Sequence, residues 1–188
     1  MAKTLTPADV GIGENAVTLV GVFETAAAIF SVLLIVTGIA KLIRPTETAR
    51  AVASLGIPEH KGVGLAIGAG EVMIGSAALI LAHPAAYAIQ GTTYLLFTAW
   101  VLVALRRDIP LASCGCLGRS DTPPYWGHLL LDVSAAVVSF AAFAAGGGGV
   151  LGLGVPGNLA QIALIGAGSL LAWVVLDDGA RLYGALKK

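Results

Sequence analysis

Long apolar runs alternate with short polar breaks along this chain. A helix crosses a bilayer with about 20 mostly apolar residues. Residues 17–40 meet that length with Glu24 as the sole charge, residues 62–82 with Glu71 alone, and residues 85–105 with none. Two shorter runs follow: 129–145, 17 residues with Asp132 near the start, and 159–176, 18 uncharged residues stopping at Asp177 and Asp178. The pattern predicts five transmembrane helices, an all-α integral membrane protein. The first run is longer than the roughly 7–15 residues of a signal-peptide core, and no basic cluster opens the chain, so it reads as a retained span.

Composition agrees with a lipid solvent. Of 188 residues, 57% are hydrophobic and only 12% charged, against about 25% charged in soluble domains; mean hydropathy is +0.88. Net charge is zero, so nothing advertises a nucleic-acid partner. The placement of charge says more. With five spans, Lys41, Arg44, Arg50, Lys61, Arg106, Arg107, Arg119, Arg181, Lys187 and Lys188 fall on one side, and only Lys3 on the other. Basic loops stay in the cytoplasm. The bias predicts a bacterial-type inner-membrane protein with its N-terminus outside and its C-terminus in the cytoplasm.

Glycine has two uses here. The run "GGGGVLGLGVPGN" before the fifth span reads as an uncharged connector. In "GVGLAIGAGEVMIG", Gly62, Gly64 and Gly68 do not fit a nucleotide-binding G-x-G-x-x-G, and Gly64 and Gly68, four apart, instead predict close helix–helix packing.

The most polar stretch is "RRDIPLASCGCLGRSDTPPYWGH", residues 106–128, which holds both cysteines of the chain, Cys114 and Cys116. Bridging residues two apart requires a bend, which Gly115 permits. The small ring is strained, and a strained disulfide is oxidising and easily reduced. Arg119, with Arg106 and Arg107, favours the thiolate. These features point to a dithiol that exchanges electrons, since closing a one-residue loop restrains the unfolded chain very little. Free thiols in a tight turn, in a reducing cytoplasm, are the plain alternative. A zinc site is disfavoured: the spacing is short, and only His60 and His128 could join from that face, His83 lying at the far end of the second span. His128 reads as a solvated histidine at a helix start, or as a proton acceptor for Cys116. Tyr125 and Trp126 read as part of the interfacial aromatic belt.

Ionisable groups within spans are costly and mark either pathways or interhelical posts. Glu71 lies nine residues into a 21-residue span, near the bilayer centre by this count. A carboxyl there is neutral unless it has a partner. Glu24 and Gln90, at matching depth near the outer face, are expected to bond to each other, and Lys41 is expected to pair with Asp132.

Three segments in order resemble one family. "TGIAKLIRPTETARAVASLGIP" closes a first helix with Gly38, Lys41 and Pro45; "GEVMIGSAALIL" carries Glu71, Gly75 and Leu79; "CGCLG" is similar to the CGCFG that follows the third helix in MauE-like proteins, within the broader DoxX-like group. The resemblance runs from about residue 28 to 145. It implies a four-helix membrane bundle working beside thioredoxin-like proteins in disulfide formation or electron transfer; in methylamine utilisation, MauE-like proteins are implicated in maturing a disulfide-rich periplasmic dehydrogenase. This chain departs from the pattern in having Leu117 for the usual phenylalanine, an appended fifth helix, and a charge bias that puts the cysteine loop in the cytoplasm.

The expected organisation is an N-terminal extension (1–16), a four-helix membrane domain (17–145) with the cysteine loop at 106–128, a connector (146–158), a fifth transmembrane helix (159–176) and a basic tail (177–188). The expected function is membrane thiol–disulfide or electron-transfer chemistry. Cys114, Cys116 and Glu71 would be its reacting groups, with Gly115, Arg119, His128 and Lys41 in support. A quinone is the candidate cofactor and a thioredoxin-like protein the candidate partner. The alternative is a non-catalytic accessory subunit of a larger membrane complex.

Overall fold

The computed structural model describes residues 12–54, 56–81, 83–106, 125–147 and 159–186, and these form six helices with no strand among them. They are α1 (Ile12–Ile43), α2 (Pro45–Ala53), α3 (Lys61–Ile80), α4 (Pro84–Arg106), α5 (Trp126–Ala144) and α6 (Leu159–Leu186). Five have the length and composition to cross a membrane, over Val20–Ile43, Lys61–Ile80, Pro84–Arg106, Trp126–Ala144 and Gln161–Tyr183. The five expected spans are present.

Two elements differ from expectation. The last helix does not stop at the aspartate pair but continues to Leu186. Arg181 lies one turn after Asp177 and reaches its Oδ2 at 3.1 Å, so the charge is partnered within the helix instead of ending it. The nine-residue α2 was not foreseen, being too short for any search by span length. Pro45 occupies its first turn, where a missing N–H costs nothing, and Glu47 pairs with Arg50 at 3.0 Å on its outer face. Its other face buries Thr48, Ala49 and Ala51.

In this bundle many buried positions are polar or small, and many large apolar residues face outward. Helix α3 buries Gly64, Gly68, Glu71, Gly75 and Ala78, a stripe at three- and four-residue spacing. Helix α5 buries His128, Asp132, Ala135, Ala136, Ser139 and Ala142 in the same rhythm. Met73 and Leu130, each 71% exposed, face outward with Leu96 and Leu170. Lipid solvates leucine as well as a protein interior does, so burial is decided by close packing and polar bonding.

Helix α1 is the central member, touching α2, α3, α5 and α6. Its seam with α3 is backbone against backbone. A Cβ on Gly68 would lie 2.8 Å from the Gly38 carbonyl, one on Gly38 would lie 2.7 Å from that of Gly68, and one on Gly75 would lie 2.6 Å from that of Ser31. Gly64 meets the Pro45 carbonyl in the same way. The packing role expected for Gly64 and Gly68 is what these contacts describe.

These contacts also fix depth. Ser31, midway along the Val20–Ile43 span, is level with Gly75. Gly68 is level with Gly38, so Glu71, four residues from Gly75 along α3, lies one turn nearer the end of α1. It therefore lies off the mid-plane by about 6 Å, at 1.5 Å of rise per residue. Counting along one helix placed it at the centre because α3 is staggered against α1, its first turn reaching past α1 to the level of α2.

Candidate functional site

Alternating helix directions gather Lys41, Arg44, Arg50, Lys61, Arg106 and Arg181 at one end of the bundle, here called the basic end. Between that end and the mid-plane the six helices line a partly open cavity of about 210 Å³. Thr37 and Lys41 line it from α1, Thr48 from α2, Ile67 from α3, Tyr94 and Trp100 from α4, His128 and Asp132 from α5, and Leu176 from α6.

Lys41 Nζ sits 2.7 Å from Glu71 Oε2, with 5% and 2% of the two side chains exposed. Thr37 Oγ1 donates to the same carboxylate oxygen at 3.2 Å. The ammonium also lies 5.8 Å from the centre of the Phe97 ring, over its electron-rich face. A buried pair of this kind offsets its desolvation only when the geometry is good and further bonds complete it; here the short contact, the hydroxyl and the ring supply them. The other carboxylate oxygen, Oε1, is buried with no hydrogen-bond partner among the described residues.

Lys41 pairs with Glu71, a partner that counting along the chain did not suggest, and Asp132 lines the same cavity. The ion pair joins α1 to α3 across the Gly38–Gly68 contact, each partner three residues along its helix from the glycine. The expected pair of Glu24 and Gln90 is replaced. Gln90 does not serve Glu24; it donates to the Ala27 carbonyl at 3.1 Å and accepts from Ser31 Oγ at 2.8 Å. Glu24 lies beside Gly147, whose added Cβ would be 2.8 Å from its Oε1.

His128 is the residue that sequence reasoning placed wrongly. It is 1% exposed, not solvated, and packs edge-on against Tyr125 with ring centres 4.7 Å apart. Tyr125 in turn donates to the Val175 carbonyl of α6 and stacks on Tyr183 at 5.8 Å, so it is an interhelical clamp more than a belt residue. Trp126, 62% exposed, faces outward as expected. The signal for His128 was available: it heads the His128, Asp132, Ala135, Ser139 stripe, a small-and-polar face inside an apolar helix. His60 has a local task, its Nδ1 accepting from Gly62 N at 3.0 Å to cap α3, and His83 Nδ1 accepts from Ala85 N at 3.1 Å before α4.

Of the residues singled out from sequence, Lys41, Glu71 and His128 meet at this end of the bundle. Cys114, Gly115, Cys116 and Arg119 lie outside the described residues, in the segment that joins Arg106 at the end of α4 to Tyr125 at the start of α5.

Five apolar spans in a helical bundle, with a cavity and ionisable side chains between them, define a multi-pass membrane protein. The chain belongs to the MauE family: residues 19–149 match the family described as methylamine utilisation protein MauE. That match takes in α1 to α5 and leaves out α6. No curated protein and no solved structure matches the chain.

Proposed function

We propose that this membrane protein exchanges electrons with protein thiols through Cys114 and Cys116. The observation that carries the reading is the C-G-C pair in the segment between α4 and α5, the two helices that bring Trp100, His128 and Asp132 to the cavity. A one-residue spacing favours a strained, easily reduced disulfide, and three arginines in and beside the segment favour the thiolate.

The exchange runs in two displacements. A thiolate of a thioredoxin-like partner attacks one sulfur of the Cys114–Cys116 disulfide, forming a mixed disulfide and releasing the other sulfur as a thiolate. The partner's second thiol then breaks the mixed bond. The partner ends as a disulfide and the pair as a dithiol, two electrons having moved. We assign the attacked sulfur to Cys116, nearer Arg119, and His128 as the group that exchanges its proton. Glu71 and Lys41 are assigned to hold the charged wall behind it. The basic bias supports placing this end on the cytoplasmic side of the inner membrane.

The test is alkylation in native membranes with a maleimide that adds mass to each free thiol. Two additions are expected under reducing conditions, none after mild oxidation, and two again after dithiothreitol. Two additions after oxidation would remove the basis of the reading.

A further inference from the structure

We propose that the cavity at the basic end is a binding site for the head group of a lipid-soluble quinone. The inference rests on the thiol reading for its chemistry and on the cavity for its geometry. A dithiol that returns to the disulfide gives up two electrons and two protons. A quinone takes up both, becoming a quinol, and is dissolved in the membrane in which this cavity lies.

The cavity selects by size. Its volume of about 210 Å³ is below the roughly 300–1,000 Å³ of sites for drug-sized ligands. A volume of this size suits a one- or two-ring head group. It also selects by shape and polarity, because its wall is mostly apolar and aromatic, with Tyr94, Phe97 and Trp100 all contributed by α4. Flat rings stack favourably on such walls. Against that apolar wall stand a few polar groups, among them Lys41 and His128, each able to donate a hydrogen bond to a ring carbonyl. The Lys41–Glu71 pair keeps the ammonium in place, so donation costs little further ordering. An apolar pocket with few convergent polar groups is the ordinary form of a small-molecule site.

Trp100 reports on occupancy, since it is the one tryptophan among the cavity-lining residues. The probe protein is the full chain in nanodiscs with Trp126→Phe and Trp173→Phe, leaving Trp100 as the sole tryptophan. It also carries Cys114→Ser and Cys116→Ser, so that no thiol can add to the ring. A fully substituted benzoquinone with a short tail is titrated in, and 2,3-dimethyl-1,4-naphthoquinone is run beside it. Saturable quenching by at least one of them is expected. Quenching by both that rises linearly, as lipid partitioning gives, would overturn the proposal.

Two variants locate the site. Ala51→Phe fills the cavity from α2, and the double change Lys41→Met with Glu71→Leu removes the donor together with the carboxylate it pairs with at 2.7 Å. Each is expected to weaken binding at least tenfold, and unchanged binding in both would overturn the assignment. Since the titration contains no cysteine, its outcome is independent of the thiol reading. If binding fails while the wild-type pair still cycles, only the quinone site falls. If binding holds while the thiols prove inert, only the thiol chemistry falls.

Discussion

Glu24, Ser31 and Gln90, toward the end away from the basic residues, are as deeply buried as Lys41, Glu71 and His128 at the basic end. Around the first group the helices close, with Ala27, Ala78, Ala86, Tyr87 and Ala142 forming one packed cluster. Around the second they do not. Small side chains let backbones approach until neutral amides and hydroxyls reach each other or a neighbouring carbonyl, as Gln90 does. At the basic end Tyr94, Phe97, Trp100 and His128 line an open space, and a charged pair bridges the close α1–α3 seam beside it. One end uses polar groups to fasten helices, and the other uses them to line a space.

The ion pair gives the largest expected effect. Lys41→Met alone leaves the Glu71 carboxylate buried and uncompensated, and should cost about 3–5 kcal/mol. Adding Glu71→Leu should recover most of that loss. Unfolding in mixed micelles, followed by circular dichroism for both variants, checks the expectation; equal instability of single and double mutants would mean that the pair is not what holds this region.

The glycine seam comes next. Gly68→Ala puts a methyl 2.8 Å from the Gly38 carbonyl and should cost about 1–3 kcal/mol, the usual range for overpacking. Gly70→Ala, with nothing within 4 Å of the added carbon, should be neutral or slightly stabilising in the same assay.

The closed end should respond least. Gln90→Leu removes the bonds to Ser31 and Ala27, and interhelical hydrogen bonds in membranes average about 0.6 kcal/mol with a maximum near 1.7. A loss as large as that of Lys41→Met would erase the distinction between the two ends.

Much of this arrangement was written in the residue pattern. Five spans follow from apolar length, and the glycine seam from a four-residue spacing. Pairings were not legible, because they depend on how far one helix slides along another. The Lys41–Glu71 pair was missed because depth counted along α3 alone ignores its stagger against α1. Gln90 was matched to Glu24 by depth alone, whereas the rotation of α4 turns it to Ser31. The cavity was invisible for the same reason: each of six helices contributes to it, and no single segment carries its signature. His128 was misjudged because it follows a polar loop, although the helix it opens turns it inward.

The central claim is that Cys114 and Cys116 react with a partner's thiols, and trapping tests it most directly. Run in reverse, the exchange begins with the Cys116 thiolate attacking the disulfide of an oxidised partner and ends when Cys114 displaces that partner; Cys114→Ser removes the second step, so a partner attached at Cys116 should persist. Membranes from this variant are run on a non-reducing gel and the partner is identified by mass. The account predicts a mixed disulfide with a thioredoxin-like protein that dithiothreitol releases, a much weaker band for Cys116→Ser, and none for the double serine variant. If neither single variant traps a partner and the double serine protein functions normally, the thiols are bystanders and the account is contradicted.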